Sequence, residues 1–226
     1  MKAASGPAVP GPRYRLVIFD FDGTLADSGD WFLSIADDLA DRFRFRRVDP
    51  SEVESLRGQT TREVIKYLGI PRWRLPSIAR YVHGLLGEQA DQIRLFDGVG
   101  VLIDELIGSG VTVALVTSNA ESNARAILGP AIAAQISHWE CGASLFGKAR
   151  LYKRVLRRSK VAPERAISIG DETRDLIAAR KAGIDSGAVV WGYANREALT
   201  ALEPKVVFDA PAQVLDYVVG PSRTTD

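Results

Sequence analysis

Short apolar runs that stop at acidic or hydroxyl side chains, each followed by a helical pattern, constrain this chain more than any other feature. Tyr14-Arg15-Leu16-Val17-Ile18-Phe19 ends at Asp20, and similar runs recur at Val111 to Val116, Ala166 to Ile169 and Ser186 to Trp191, with a weaker one at Lys205 to Phe208. Apolar runs of this length without polar alternation are strands buried on both faces. Between them, Val99-Leu102-Ile103-Leu106-Ile107 repeats at three and four residues and stops at Gly108-Ser109-Gly110. Leu151-Val155-Leu156 continues the theme, and Leu176-Ile177-Ala178-Ala179-Ala182 ends at Gly183. Strand alternating with helix predicts an α/β fold with a parallel sheet covered on both faces. Chemistry in such folds sits at the carboxyl ends of strands.

The alternation fails between about Ser28 and Leu95. That stretch holds only helical patterns, Trp31-Ile35-Leu39-Phe43, Thr61-Val64-Ile65-Leu68 and Ile78-Val82-Leu85-Leu86, punctuated by Pro50, Gly58, Gly69-Ile70-Pro71 and Pro76. It is expected to form a small all-α domain, residues 28–94, inserted after the first strand. The core then comprises residues 14–27 and 95–226, and the Pro- and Gly-rich residues 1–13 are expected to be a loose tail.

Bulk properties exclude several classes. Lys and Arg total 29 against 28 Asp and Glu, a net charge of +1, which supplies no general attraction for nucleic acid or membrane. The single Cys141 rules out an internal disulfide and a multi-cysteine zinc site, and His83 and His138 lie far apart in the sequence. No apolar run has the length of a membrane span, and the first residues lack the apolar stretch of a signal peptide, so a cytoplasmic location is expected.

Asp20-Phe21-Asp22-Gly23-Thr24-Leu25 directly follows the first strand and presents two acids at its end, with Gly23 allowing a sharp turn. A calcium loop is ruled out, because Leu25 and Trp31 occupy the places that need Gly and an acid. Gly170-Asp171-Glu172-Thr173-Arg174-Asp175 follows another buried strand; alone it would be an ordinary acidic helix start. Two acidic clusters converging in one sheet repel by roughly 4 kcal/mol for a unit pair at about 4 Å and an effective dielectric near 20. A hard cation relieves that repulsion, and all-oxygen ligation suits Mg²⁺. Val116-Thr117-Ser118-Asn119 could cradle a phosphate or simply cap a helix. Gly142 to Lys148 satisfies much of a nucleotide-binding loop, but Ala149 stands where a Ser or Thr is required and no clear buried strand leads into Gly142. Lys148 is better taken as a lone cation beside a phosphate.

DFDGTLADS, VTSN, the lysine of FGK and GDETRD stand in the order and spacing of the haloacid dehalogenase superfamily, which the chain resembles from Tyr14 onward. The helical insert resembles the cap of its phosphoglycolate phosphatase-like members. The resemblance implies a Rossmann-like core and a Mg²⁺-dependent phosphomonoester hydrolase working through an aspartyl-phosphate. It implies Asp20 as nucleophile, Asp22 as acid and base, and a metal held by Asp20, the Asp22 carbonyl and Asp171. Thr117 and Lys148 would contact the phosphoryl oxygens, Ser118 and Asn119 would lie near the substrate, and Thr24 and Asp175 would support the site. An acid at Asp22 disfavours dehalogenation.

In the insert, Arg57 and Gly58 lie in a polar turn able to reach down over a cleft, whereas Arg42, Arg44, Arg46 and Arg47, like Arg150 to Lys160, are expected to be solvated surface. Trp31 and Trp73 are expected to pack the insert, Trp139 and Trp191 the core, and Cys141 to fill a buried gap. The expected partner is a small phosphorylated metabolite such as 2-phosphoglycolate, bound by a monomer or homodimer. A phosphomutase on the same scaffold and a non-catalytic binding protein are the alternatives.

Overall fold

The computed structural model describes residues 11–142 and 147–220. The chain enters through β1 (Leu16–Phe19) and makes a short β2 (Ala26–Asp27). Four helices follow, α1 (Gly29–Phe43), α2 (Val53–Arg57), α3 (Thr61–Tyr67) and α4 (Leu75–Glu88), before β3 (Arg94–Leu95). Then come α5 (Val99–Gly108), β4 (Thr112–Val116), α6 (Glu121–Ala133), β5 (His138–Glu140), α7 (Lys148–Ser159), β6 (Ala166–Gly170), α8 (Thr173–Ala182), β7 (Asp185–Val189), α9 (Arg196–Thr200), β8 (Val206–Phe208) and α10 (Pro211–Val219).

Six strands form one parallel sheet in the order β5-β4-β1-β6-β7-β8. The chain winds to one side of β1 through β4 and β5, then to the other through β6, β7 and β8. The carboxyl end of β1 therefore lies at the point where the winding reverses, the usual site of a ligand crevice. Because side chains alternate along a strand, Val17 and Phe19 face one layer and Leu16 and Ile18 the other. Val17 and Phe19 join Leu102, Ile103 and Leu106 of α5 and Val214 and Val218 of α10. Leu16 and Ile18 join Tyr152, Val155 and Leu156 of α7 and Ala178, Ala179 and Ala182 of α8. All four β1 side chains are fully buried, which explains why the strand reads as an unbroken apolar run.

β2 and β3 pair antiparallel, Ala26 with Leu95 and Asp27 with Arg94, so the helical stretch leaves and rejoins the core at adjacent points. In α1, Trp31, Ile35 and Leu39 form the buried stripe that their spacing predicts, and they continue the core cluster together with Leu86 and Ile93. Helices α2 and α3 bury no residue fully; α3 starts with a capping box in which the Thr60 hydroxyl accepts the Glu63 N–H and the Glu63 carboxylate accepts the Thr60 N–H.

Several expectations need correction. Trp73 is 74% exposed rather than packed, with the Arg74 guanidinium 4.9 Å from its ring. The basic cluster of the insert is exposed as expected, with Arg42 over the Tyr81 ring at 4.3 Å, Arg46 over Tyr67 at 4.2 Å and Arg47 paired with Asp41 at 2.5 Å. Cys141 is half-buried, and the strand that leads toward Gly142, β5, is itself only partly buried. Ala143 to Phe146, including the Phe of FGK, lie outside the described residues. At the start of the described chain, Arg13 stacks on Tyr217 at 4.3 Å and the Pro12 carbonyl accepts from Arg165 at 2.5 Å, so residues 12 and 13 are anchored to the core.

Candidate active site

Asp20 leaves β1 at the reversal point, its N–H donating to the Ile169 carbonyl at 2.9 Å. The chain then turns tightly around the Phe21 carbonyl, which accepts the N–H groups of Thr24, Leu25 and Ala26 at 3.2, 2.8 and 3.0 Å. Gly23, at φ +75°, makes the turn possible, and a side chain there would collide with the Asp171 carboxylate. Gly192 approaches Asp171 from the loop after β7 and is equally unable to accept a side chain.

Three strand ends meet in this crevice. From the β6 end, Asp171 is fixed by the Thr24 hydroxyl, which donates to Oδ1 at 2.7 Å, and by the Tyr193 N–H, which donates to Oδ2 at 2.8 Å. From the start of α8, Asp175 accepts the Glu172 N–H at 3.2 Å. From the start of α7, the Lys148 ammonium lies 2.5 Å from Asp20 Oδ2 and 2.6 Å from Asp175 Oδ1, with all three side chains almost completely buried. From the β4 end, buried Thr117 accepts the Asn119 N–H on its hydroxyl at 3.0 Å.

Carboxylate oxygens of Asp20, Asp171 and Asp175 lie within 4.8 Å of one another. Burial opposes the Asp20 charge, but Lys148 and Arg174 outweigh it and hold Asp20 below the usual carboxylate range. Burial likewise opposes the Lys148 ammonium, and Asp175 and Asp20 more than offset it. For Asp171, burial, then Glu172, Asp20 and Asp175, push it well above its ordinary value. Burial and the Asp20 charge raise Asp175 to about 7, with Lys148 and Arg174 pulling the other way. This all-oxygen, charge-crowded donor set fits a hard divalent cation, whose field would let Asp171 ionise.

The Asp22 carboxyl stands apart from that cluster. Asn119 Nδ2 donates to both its oxygens at 3.2 Å, and the Ser28 hydroxyl donates to Oδ1 at 3.3 Å. Burial and then the Asp20 charge raise it to about 6, against those donors. A carboxyl poised between protonated and ionised forms near neutrality suits an exchanger of protons.

The structure thus brings Asp20, Asp22, Thr24, Thr117, Asn119, Lys148, Asp171 and Asp175 to one crevice. Ser118 lies beside them, its backbone near the His83 ring of α4. Arg57 and Gly58 reach down as expected but grip protein: Arg57 Nε and Nη2 donate to the Tyr193 and Gly192 carbonyls at 3.0 and 3.1 Å, and Gly58 lies against the Asn195 amide. Two residues escaped the sequence reading. Arg174 puts Nη2 4.0 Å from Asp20 Oδ2 and 2.5 Å from Glu172, with Nε and Nη1 buried and without hydrogen-bond partners among the described residues. A basic residue in a helix's first turn, where acids are favoured, was the available signal. Tyr193 lies just past a strand that was read to Trp191 and that ends at Val189.

The haloacid dehalogenase-like hydrolase family model matches residues 17–189. The chain is 30% identical over 205 residues to the phosphoglycolate phosphatase of Synechococcus elongatus, covering 90% of this chain and 97% of that protein. It is also 30% identical over 205 residues to the tyrosine-protein kinase PtkA of Mycobacterium tuberculosis, covering 89% of this chain and 70% of that one. Among solved structures, the haloacid dehalogenase-like family protein SP0104 of Streptococcus pneumoniae superposes with a TM-score of 0.74 at 22% identity, over 91% of this chain and 98% of that chain. With the family model spanning most of the chain and the α/β fold as expected, this protein belongs to the haloacid dehalogenase-like hydrolases.

Proposed function

We propose that this phosphatase hydrolyses a small phosphorylated metabolite by passing the phosphoryl group to Asp20 and then to water. The observation that carries the reading is the buried Asp20 carboxylate, held ionised beside Lys148 and within 4.8 Å of two further acids. A carboxylate attacking a phosphate dianion must have its charge offset, and Lys148 supplies one cation at the attacking oxygen. A Mg²⁺ ion held by Asp20, Asp171 and the Asp22 carbonyl would supply the rest, with Asp175 and Thr24 supporting the acids. The Thr117 hydroxyl and Lys148 hold the phosphoryl oxygens. Asp22 gives its proton to the departing alcohol, then takes one from the water that attacks the aspartyl-phosphate. The name of the Synechococcus relative, together with a match along nearly its full length, makes 2-phosphoglycolate the first substrate to try.

The test is phosphate release from a panel of phosphomonoesters, with Mg²⁺, with EDTA and with Asp20→Asn. Turnover is expected to need the metal and to fall by at least ~10³-fold in Asp20→Asn. Folded Asp20→Asn protein with undiminished turnover would exclude the covalent route. A phosphorylated sugar product without free phosphate would point to a mutase, and label passing from ATP to protein tyrosine would point to the chemistry named for PtkA.

A further inference from the structure

The acid at the crevice is held by a chain of hydroxyls that reaches the loop after β7. Tyr193 Oη lies 2.7 Å from Ser28 Oγ, and Ser28 Oγ lies 3.3 Å from Asp22 Oδ1. Hydrogen count fixes the direction of this chain. An ionised carboxylate only accepts, and a serine hydroxyl has one hydrogen, so once Ser28 donates to Asp22 it must accept from Tyr193. A phenol keeps its proton through the physiological range and serves as that terminal donor. Ser28 is 1% exposed and joins the β2 strand to α1, so it has little room to turn toward another partner.

We propose that Tyr193 is a positioning residue for the acid–base step: through Ser28 it anchors Asp22 Oδ1, leaving Oδ2 to carry the proton that goes to the leaving group. The two carboxylate oxygens are not equivalent. Oδ1 faces two donors, Ser28 and the Asn119 amide, whereas Oδ2 faces Asn119 alone among the described residues. Oδ1 is thus the more firmly held oxygen, and Oδ2 is the one left to face the leaving group. Without the Tyr193 hydroxyl, Ser28 loses one of its two partners and its hold on the carboxyl loosens, so Oδ2 turns away from the leaving group for part of the time. The inference rests on the assignment of Asp22 as the acid.

The experiment compares kcat/KM for aryl and alkyl phosphates of rising leaving-group pKa in the full chain, in Tyr193→Phe, in Ser28→Ala and in Asp22→Asn. kcat/KM reports the steps through phosphoryl transfer, where a p-nitrophenolate needs no proton and an alkoxide does. Tyr193→Phe keeps the ring and the N–H that holds Asp171, so divalent-cation affinity is expected to stay unchanged. Its kcat/KM is expected to fall about tenfold on the alkyl phosphate and less than about twofold on p-nitrophenyl phosphate. Ser28→Ala is expected to show the same pattern, and the double variant no more than either alone. Equal losses on both substrates, or no loss on either, would overturn the proposal. If Asp22→Asn itself loses equally on both, the assignment of Asp22 as the acid has failed, and the two failures are told apart.

Discussion

The sheet and the helical insert are built on opposite terms. In β1, β4 and β6 nearly every side chain is buried on both faces, and the acids they deliver lie under enough protein for burial to be the first influence on Asp22, Asp171 and Asp175. In the insert, α2 and α3 bury no residue fully, and the exposed Asp49 and Glu63 and the half-buried Glu52 are held below their usual range by hydrogen bonds at helix starts and to Tyr67. Beside the stripe on α1 with Leu86 and Ile93, and the partly buried Tyr81, Val82 and Leu85 packed against the same cluster, the insert meets the core through polar contacts: Arg57 with the Gly192 and Tyr193 carbonyls, Thr61 with Glu172 at 2.9 Å, and the His83 carbonyl with Asn123 at 2.8 Å. Water replaces polar contacts at small net cost, whereas exposing an apolar stripe is expensive. Helices α2 and α3, which bury no residue fully, are therefore the part of the insert that can leave the core at least cost, while α1 stays tied through its stripe.

The contrast can be broken at three points. Leu115→Ala, at a fully buried position in β4, is expected to cost about 2–5 kcal/mol and on the order of 10 °C in Tm, while Val64→Ala on half-buried α3 is expected to cost less than about 1 kcal/mol. Comparable losses in denaturant melts would show that the insert is packed like the core. Next comes pH. Raised carboxyls contribute most to stability below about pH 4, and that contribution is lost as pH rises through about 6 for Asp22 and about 7 for Asp175. Melts in EDTA are therefore expected to fall by on the order of 5 °C between pH 5 and 8, and Mg²⁺ is expected to flatten the slope. The lowered acids of the insert act in the opposite sense, their contribution being lost only as pH falls below about 4, and a slope that persists in Mg²⁺ would move its source away from the carboxylate cluster. The smallest effect on stability is expected from Arg57→Ala, less than about 2 °C, but KM should rise several-fold through a looser cover. A large drop in Tm with KM unchanged would make Arg57 a structural clamp alone.

Much of this was legible in the sequence because burial on both faces leaves no ambiguity. Val113 to Val116 and Ala166 to Ile169 are apolar throughout apart from Ser168, and the acids that end their neighbours fall where the fold places its crevice. The β5 edge strand was missed because His138-Trp139-Glu140 is short and half polar, as an edge is free to be. β2 and β3 were missed because two residues carry no period. Arg57 was legible as a residue that reaches the core but not as one that grips carbonyls, since backbone acceptors in a distant loop leave no mark in side-chain identity. Tyr193 and Ser28 were illegible for the same reason: 165 positions separate two hydroxyls whose meeting depends on the fold alone.

The antiparallel pairing of Ala26 with Leu95 and Asp27 with Arg94 has a consequence for ancestry. An excursion that departs and returns on bonded neighbours closes on itself, so the sheet does not register its length. Loop-closure entropy grows only slowly with the residues enclosed. The same seam could admit a longer, shorter or unrelated module without disturbing Asp20 a few residues away. Recognition of new substrates can then be tried at the seam while the phosphoryl chemistry stays fixed beneath it.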